Sequence, residues 1–137
     1  MNSITYKYFK NFKQEDIKAL YDDAEWISYT KDLPRLMKAI ESSLMVISAW
    51  DGDKLVGLVR VVGDGLTIIY VQDILVLQSY KKKGIGSKLL KFILDEYKDV
   101  RQKVLLTDER EETRRFYEAN GFFSCDNGMV VAFAKFD

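Results

Sequence analysis

Residues Lys81-Lys82-Lys83-Gly84-Ile85-Gly86-Ser87-Lys88 set four lysines and two glycines directly before an amphipathic run. A loop of this kind at a helix start leaves backbone N–H groups without intrahelical acceptors. The helix dipole adds partial positive charge there. Gly84 and Gly86 carry no Cβ, so an anion can come close to the backbone. The stretch therefore predicts a phosphate or pyrophosphate site. Its lysines precede the glycines, which excludes Gly-x4-Gly-Lys-Ser/Thr. Leu89 stands where Gly-x-Gly-x-x-Gly needs its third glycine. A nucleic-acid patch competes for the lysines, but the glycines and the overall charge balance favour the phosphates of one small ligand.

That balance is zero, with 21 basic and 21 acidic residues among 137, so any basic function must be local. Apolar residues make up 47% of the chain, enough for the core of a single domain spanning 1–137. There is no histidine and one cysteine, Cys125. This rules out an intrachain disulfide, a Ser-His-Asp or Cys-His nucleophile and a His-based zinc site; no metal is expected. The N-terminus lacks the apolar core of a signal peptide, and no apolar run is long enough to span a membrane. A cytoplasmic protein without membrane or nucleic-acid partners is the expectation.

The loop must be positioned by the elements around it. Loose alternation over 3–10 predicts a first strand. Helical spacing of Ile17, Leu20, Tyr21, Ala24 and Ile27 predicts a helix from Glu15 to Tyr29. Asp32 and Pro34 start a second helix, by capping and by a missing N–H where it costs little. Strands follow over Leu44–Trp50 and Leu55–Val62, joined by Asp51-Gly52-Asp53-Lys54. The β-branched run Thr67–Leu77 reads as a central strand. Gly84–Tyr97 is the helix after the loop, Val104–Leu106 a short strand, and Glu111–Asn120 a helix closed at Gly121. Residues 122–125 and 129–136 read as a last strand pair. The fold class is α/β, a mixed sheet flanked by helices.

At this point the chain resembles the GNAT N-acetyltransferase superfamily, in element order from Tyr6 to Phe136. Lys81-Lys82-Lys83-Gly84-Ile85-Gly86 resembles the family's Arg/Gln-x-x-Gly-x-Gly/Ala loop, with Lys81 where arginine or glutamine is usual. Phe116-Tyr117-Glu118-Ala119-Asn120-Gly121-Phe122 resembles its Phe-Tyr-x-x-x-Gly-Phe helix end. The resemblance implies the acyl-CoA N-acyltransferase fold and acetyl-CoA as co-substrate. It implies direct transfer of an acetyl group to a primary amine in a ternary complex. The alternative is a CoA-binding sensor or interaction module with the same fold and no turnover.

The resemblance also implies roles. The pantetheine arm pairs with Ile74, Leu75 and Val76 in an opening between two strands. The pyrophosphate rests on the amides from Lys82 to Ser87, including Lys83, Gly84, Ile85 and Gly86, with Lys88 for an outer phosphate. A backbone N–H near Leu75 is the oxyanion donor, and Tyr117 protonates the departing thiolate. Arg110 replaces the family's pantetheine-binding asparagine, so that contact is lost or becomes a salt bridge. Asp73 is either a base acting through water or a structural carboxylate. Leu105 occupies the place of a glutamate that some members carry. Tyr21, Trp26, Tyr29 and Gln72 are expected at the acceptor side, where aromatics and carboxylates suit a cationic amine. Met129 to Ala134 either lines a homodimer interface or joins the core.

Overall fold

Leu55 to Val61 are all buried within β3 (Lys54–Gly63). A strand with no exposed face must be covered on both sides. The computed structural model, which describes residues 3–128 and 130–137, shows how this is done. Strands β1 (Ile4–Tyr8), β2 (Met45–Asp51), β3, β4 (Ile68–Val76) and β5 (Gln102–Val104) form one sheet in that order. Neighbours are antiparallel as far as β4, and β5 runs parallel to β4. The run 67–77 supplies β4, an interior strand flanked by β3 and β5 as expected, and β3 lies at the middle of the sheet. A β-branched run reports burial, and both strands are rich in it.

Helices α1 (Gln14–Asp23), α2 (Ile27–Thr30) and α3 (Leu33–Glu41) precede β2, and α4 (Ile85–Glu96) follows β4. Ile17, Leu20 and Tyr21 of α1, Leu36 and Ile40 of α3, and Ile85, Leu89, Leu90 and Ile93 of α4 are buried. Asp32 caps α3 through the Arg35 N–H at 3.2 Å, with Pro34 in the first turn as expected. Asp64 organises the β3–β4 turn. The Thr67 hydroxyl and the N–H groups of Leu66, Thr67 and Ile68 hold its carboxyl well below the usual carboxylate range.

The helix expected from Glu15 to Tyr29 is two helices. Glu25 has φ +64°, with its N–H on the Asp22 carbonyl and the Trp26 N–H on the Tyr21 carbonyl. This pair of bonds is a Schellman ending. It normally uses glycine, so apolar spacing runs through the break without marking it.

The described chain divides into two compact units, the first ending at Leu106 and the second covering Thr107–Asp137. The second holds α5 (Glu111–Ala119). The strand pair expected over 122–125 and 129–136 is not formed by the described residues. Cys125–Asn127 is a 3-10 turn, and 130–137 lie in no strand. Asp126 accepts from the Ser124 hydroxyl and from Arg114, which curls the chain where extension was expected. Val131 and Phe133 are 71% and 92% exposed, so this apolar segment does not join the core. Met129 lies outside the described residues. Among the described residues no helix is long and apolar enough to cross a membrane.

Candidate active site

The glycine loop is held from both ends. Upstream, the Gln78 N–H donates to Asp23 Oδ2 at 2.7 Å, and the Tyr80 hydroxyl to Asp51 Oδ2 at 2.5 Å. Downstream, Ile85 and Leu89 of α4 press on Gly57 of β3. A Cβ added there would lie 3.3 Å from each of their side chains and 3.4 Å from Ala49 Cβ. Gly57 thus lets the first turn of α4 sit close to the sheet. Lys82 and Gly84 both have positive φ, +64° and +81°, and nothing lies within 4 Å of a Cβ built on Gly84. The first intrahelical bond is Lys88 N–H to the Gly84 carbonyl at 3.0 Å. The N–H groups of Ile85, Gly86 and Ser87 therefore have no acceptor inside the helix. Lys81, Lys82 and Lys83 are exposed around this turn, with Lys83 Nζ 5.3 Å from the Tyr80 ring centre. Lys88 is exposed too, 5.8 Å from the Phe92 ring centre and 6.0 Å from that of Tyr6.

The chain enters this loop from an unusual strand. β4 pairs with β5 only at Ile68, Ile69 and Tyr70. From Val71 to Val76 its edge on that side carries no strand partner among the described residues, while the other edge stays bonded to β3. Antiparallel pairing alternates the direction of backbone groups residue by residue. The Leu77 N–H donates to the Val56 carbonyl at 2.9 Å, which sets the parity. Leu75, paired with Leu58, then turns its N–H inward to β3, and Ile74 and Val76 turn theirs to the open edge. The oxyanion donor expected at Leu75 therefore faces the wrong way for a ligand on that edge. Its neighbours face the right way.

A β-bulge sits just upstream. Arg60 pairs with Asp73 and Val61 with Val71, so Gln72 is the extra residue. Asp73 is 1% exposed and accepts three bonds. Arg60 Nε and the Tyr21 hydroxyl both reach Oδ2 at 2.8 Å, and the Tyr29 hydroxyl reaches Oδ1 at 2.9 Å. Arg60 also donates to Ser43 Oγ at 3.3 Å. Full enclosure by donors fits the structural reading of Asp73 better than proton removal. Arg60 was not singled out from sequence, because an arginine in an apolar strand gives no sign of its partner. Tyr21 is 0% exposed, so it offers a ligand no surface. Burial and then Asp73 push its phenol well up. Trp26 and Tyr29 are half-buried, with ring centres 6.1 Å apart, and each meets the Tyr21 ring edge-on. Gln72 is exposed and donates from Nε2 to the Tyr29 hydroxyl at 3.0 Å.

In the second unit Tyr117 lies on α5, half-buried between Phe116 and Phe122, with ring centres 5.0 and 5.8 Å away. Burial, reinforced by Asp108, pushes its phenol up to about 12. It is a proton holder across the neutral range. Arg110 is exposed at the start of α5 and lies 3.5 Å from Asp108. Arg114 bridges Glu109 at 2.6 Å and Asp126 at 2.9 Å.

A strand paired on one edge only beyond Tyr70 and followed by a glycine-started helix, with a tyrosine-bearing helix end further along the chain, is the frame of an acyltransferase of the GNAT type. The chain belongs to the GNAT acetyltransferase family: the family model described as Acetyltransferase (GNAT) family matches residues 7–122. A GNAT family acetyltransferase from Streptococcus pneumoniae TIGR4 superposes with a TM-score of 0.80 at 36% identity, over 97% of this chain and 100% of that one. A probable acetyltransferase from methicillin-resistant Staphylococcus aureus gives 0.72 at 26% identity, over 98% and 100%. An aminoglycoside N-acetyltransferase in complex with CoA shares the fold, at 0.73 and 15% identity over 98% and 96%. No curated protein matches the chain.

Proposed function

We propose that residues 1–137 form one acetyl-CoA-dependent N-acetyltransferase domain that moves an acetyl group to a primary amine by direct attack in a ternary complex. The observation that carries this reading is the open edge of β4, followed through the short 3-10 turn Gln78–Tyr80 by amides without intrahelical acceptors at the start of α4. A solved relative of the same fold in complex with CoA supports the choice of co-substrate. The backbone groups of Ile74 and Val76 bind the pantetheine amides as a strand would. The amides from Lys82 to Ser87 bind the pyrophosphate, and Lys81, Lys82 and Lys83 add charge. Lys88 serves an outer phosphate. One N–H of the Ile74–Val76 pair steadies the oxyanion, worth a few kcal/mol of barrier. Tyr117 gives its proton to the departing thiolate.

Asp73 is closed off by its donors, so the amine loses its proton to solvent. Trp26, Tyr29 and Gln72 form the acceptor wall. Arg110, paired with Asp108, leaves the family's asparagine contact unfilled. That departure favours the second reading, a module that binds CoA without turnover. Calorimetric titration of CoA tests the seat common to both. Micromolar binding that weakens about ten-fold in Gly84→Val, through strain at positive φ and a filled approach, is the expected result. Unchanged affinity in that variant overturns the assignment.

A further inference from the structure

The hydrogen bonds at the bulge have only one consistent polarity. Arg60 can only donate. The Asp73 carboxylate, ion-paired to Arg60, only accepts, and the Tyr29 hydroxyl donates its hydrogen bond to Oδ1. Burial followed by the nearby Asp73 charge raises Tyr29, so the phenol keeps its proton. With its one proton spent, the Tyr29 oxygen can only accept from Gln72. The Gln72 amide must then direct its NH2 group to Tyr29, which fixes which end of the amide is which. Its other end, Oε1, accepts no hydrogen bond among the described residues, and the side chain is exposed on a bulge beside the open edge of β4.

From this chain of bonds we infer that Gln72 Oε1 is the hydrogen-bond acceptor for the substrate's amine, aimed by the relay Arg60–Asp73–Tyr29. The inference deepens the acetyltransferase reading by naming the atom that meets the amine; it rests on that reading's amine site, not on turnover. The substrate presents N–H donors to this wall as a primary amine or ammonium group, with the half-buried Trp26 and Tyr29 rings flanking it. Gln72 is the specificity determinant, and Tyr29 is a positioning residue that acts through it.

The test compares spermidine, kanamycin and an Nα-acetylated lysine ester as acceptors for the full chain and three variants. For the amine turned over best, Gln72→Leu should raise its KM about ten-fold, the worth of a hydrogen bond to a charged donor. The KM for acetyl-CoA should stay within about two-fold. Tyr29→Phe should raise the amine KM about five-fold by releasing the amide. Gln72→Glu, which keeps acceptor oxygens but loses the NH2 group, should retain amine binding. Loss of amine binding in Gln72→Glu with retention in Gln72→Leu reverses the polarity and overturns the inference. So do unchanged amine KM values in all three variants, which leave the acetyltransferase reading standing. If no amine is turned over, the Gln72 side-chain amide is followed by NMR in the CoA-bound protein during titration with spermidine. A shift that Tyr29→Phe abolishes upholds the inference while the enzyme reading falls. No shift overturns the inference.

Discussion

The Phe122 N–H donates to the Tyr117 carbonyl at 3.0 Å while the Phe122 ring meets the Tyr117 ring edge-on at 5.8 Å. The Gly121 N–H, at φ +90°, reaches the Glu118 carbonyl at 3.1 Å. Backbone and rings together make a Schellman ending in which the residue after the glycine packs on the tyrosine five positions earlier. The Phe-Tyr-x-x-x-Gly-Phe pattern is thus a device for holding one phenol. Trp26 and Tyr21 stand in the same relation at the end of α1, with ring centres 6.0 Å apart. The fold uses this ending twice, each time on a tyrosine.

Removing the Tyr117 hydroxyl isolates its role. Tyr117→Phe keeps both ring contacts and loses the proton, so kcat should fall about ten-fold or more. CoA affinity, read by calorimetry, should not change. An unaltered kcat would remove Tyr117 from the mechanism.

The raised Tyr117 phenol sets the pH profile. A general acid acts only while protonated, and with its value pushed up to about 12 it stays protonated over the whole working range. The amine must be neutral to attack, with an ordinary value of about 10. The rate should therefore climb from pH 7 to about 10 without a falling limb. A descending limb near pH 9 that disappears in Tyr117→Phe contradicts this.

The parity of β4 separates neighbouring residues. The Val76 N–H faces the open edge, so Val76→Pro removes no bond to β3 and should leave the protein folded. Turnover should fall at least about ten-fold through the lost edge donor. Leu75→Pro breaks the bond to Leu58 and should cost about 3 kcal/mol of stability. Denaturant melts and thiol-release kinetics on both variants check this, and equal behaviour of the two sinks the parity argument.

Glu25 occupies a left-handed position that costs an L-residue about 1 kcal/mol. Glu25→Gly should thus stabilise the protein by roughly 0.5–1 kcal/mol. The readout is a midpoint shift in urea with an unchanged m-value. A loss of stability would mean that the turn is held by something other than its dihedral angles.

Much of this was legible from residue order. The glycine loop, the Asp32 cap and the helix end at Gly121 each depend on a few adjacent residues, so local chemistry announces them. An opening beside β4 was expected from the resemblance alone, and the pairing of β4 with β5 stops at Tyr70. What stayed hidden depends on pairing across the fold. The register of β3 on β4 decides that Gln72 bulges and that Leu75 points inward. Arg60 and Asp73, together with Tyr21 and Tyr29, meet only in three dimensions. The segment 130–136 shows the opposite failure, since high strand propensity alone formed no strand there.

The buried pair itself can be broken. Arg60 is 5% exposed, and Arg60→Ala would leave Asp73 without its cation, at a cost of about 3–5 kcal/mol. Chemical denaturation measures this directly. A change below about 1 kcal/mol would place the pair among surface-like contacts.

The central claim is that the β4 edge and the α4 start seat acetyl-CoA for transfer to an amine. Release of CoA thiol from acetyl-CoA, followed with and without polyamines, aminoglycosides, amino sugars and lysine peptides, tests it most directly. The account predicts release that depends on an amine and falls in Tyr117→Phe. Tight CoA binding with no amine-dependent release would contradict it and leave a CoA-binding module in its place.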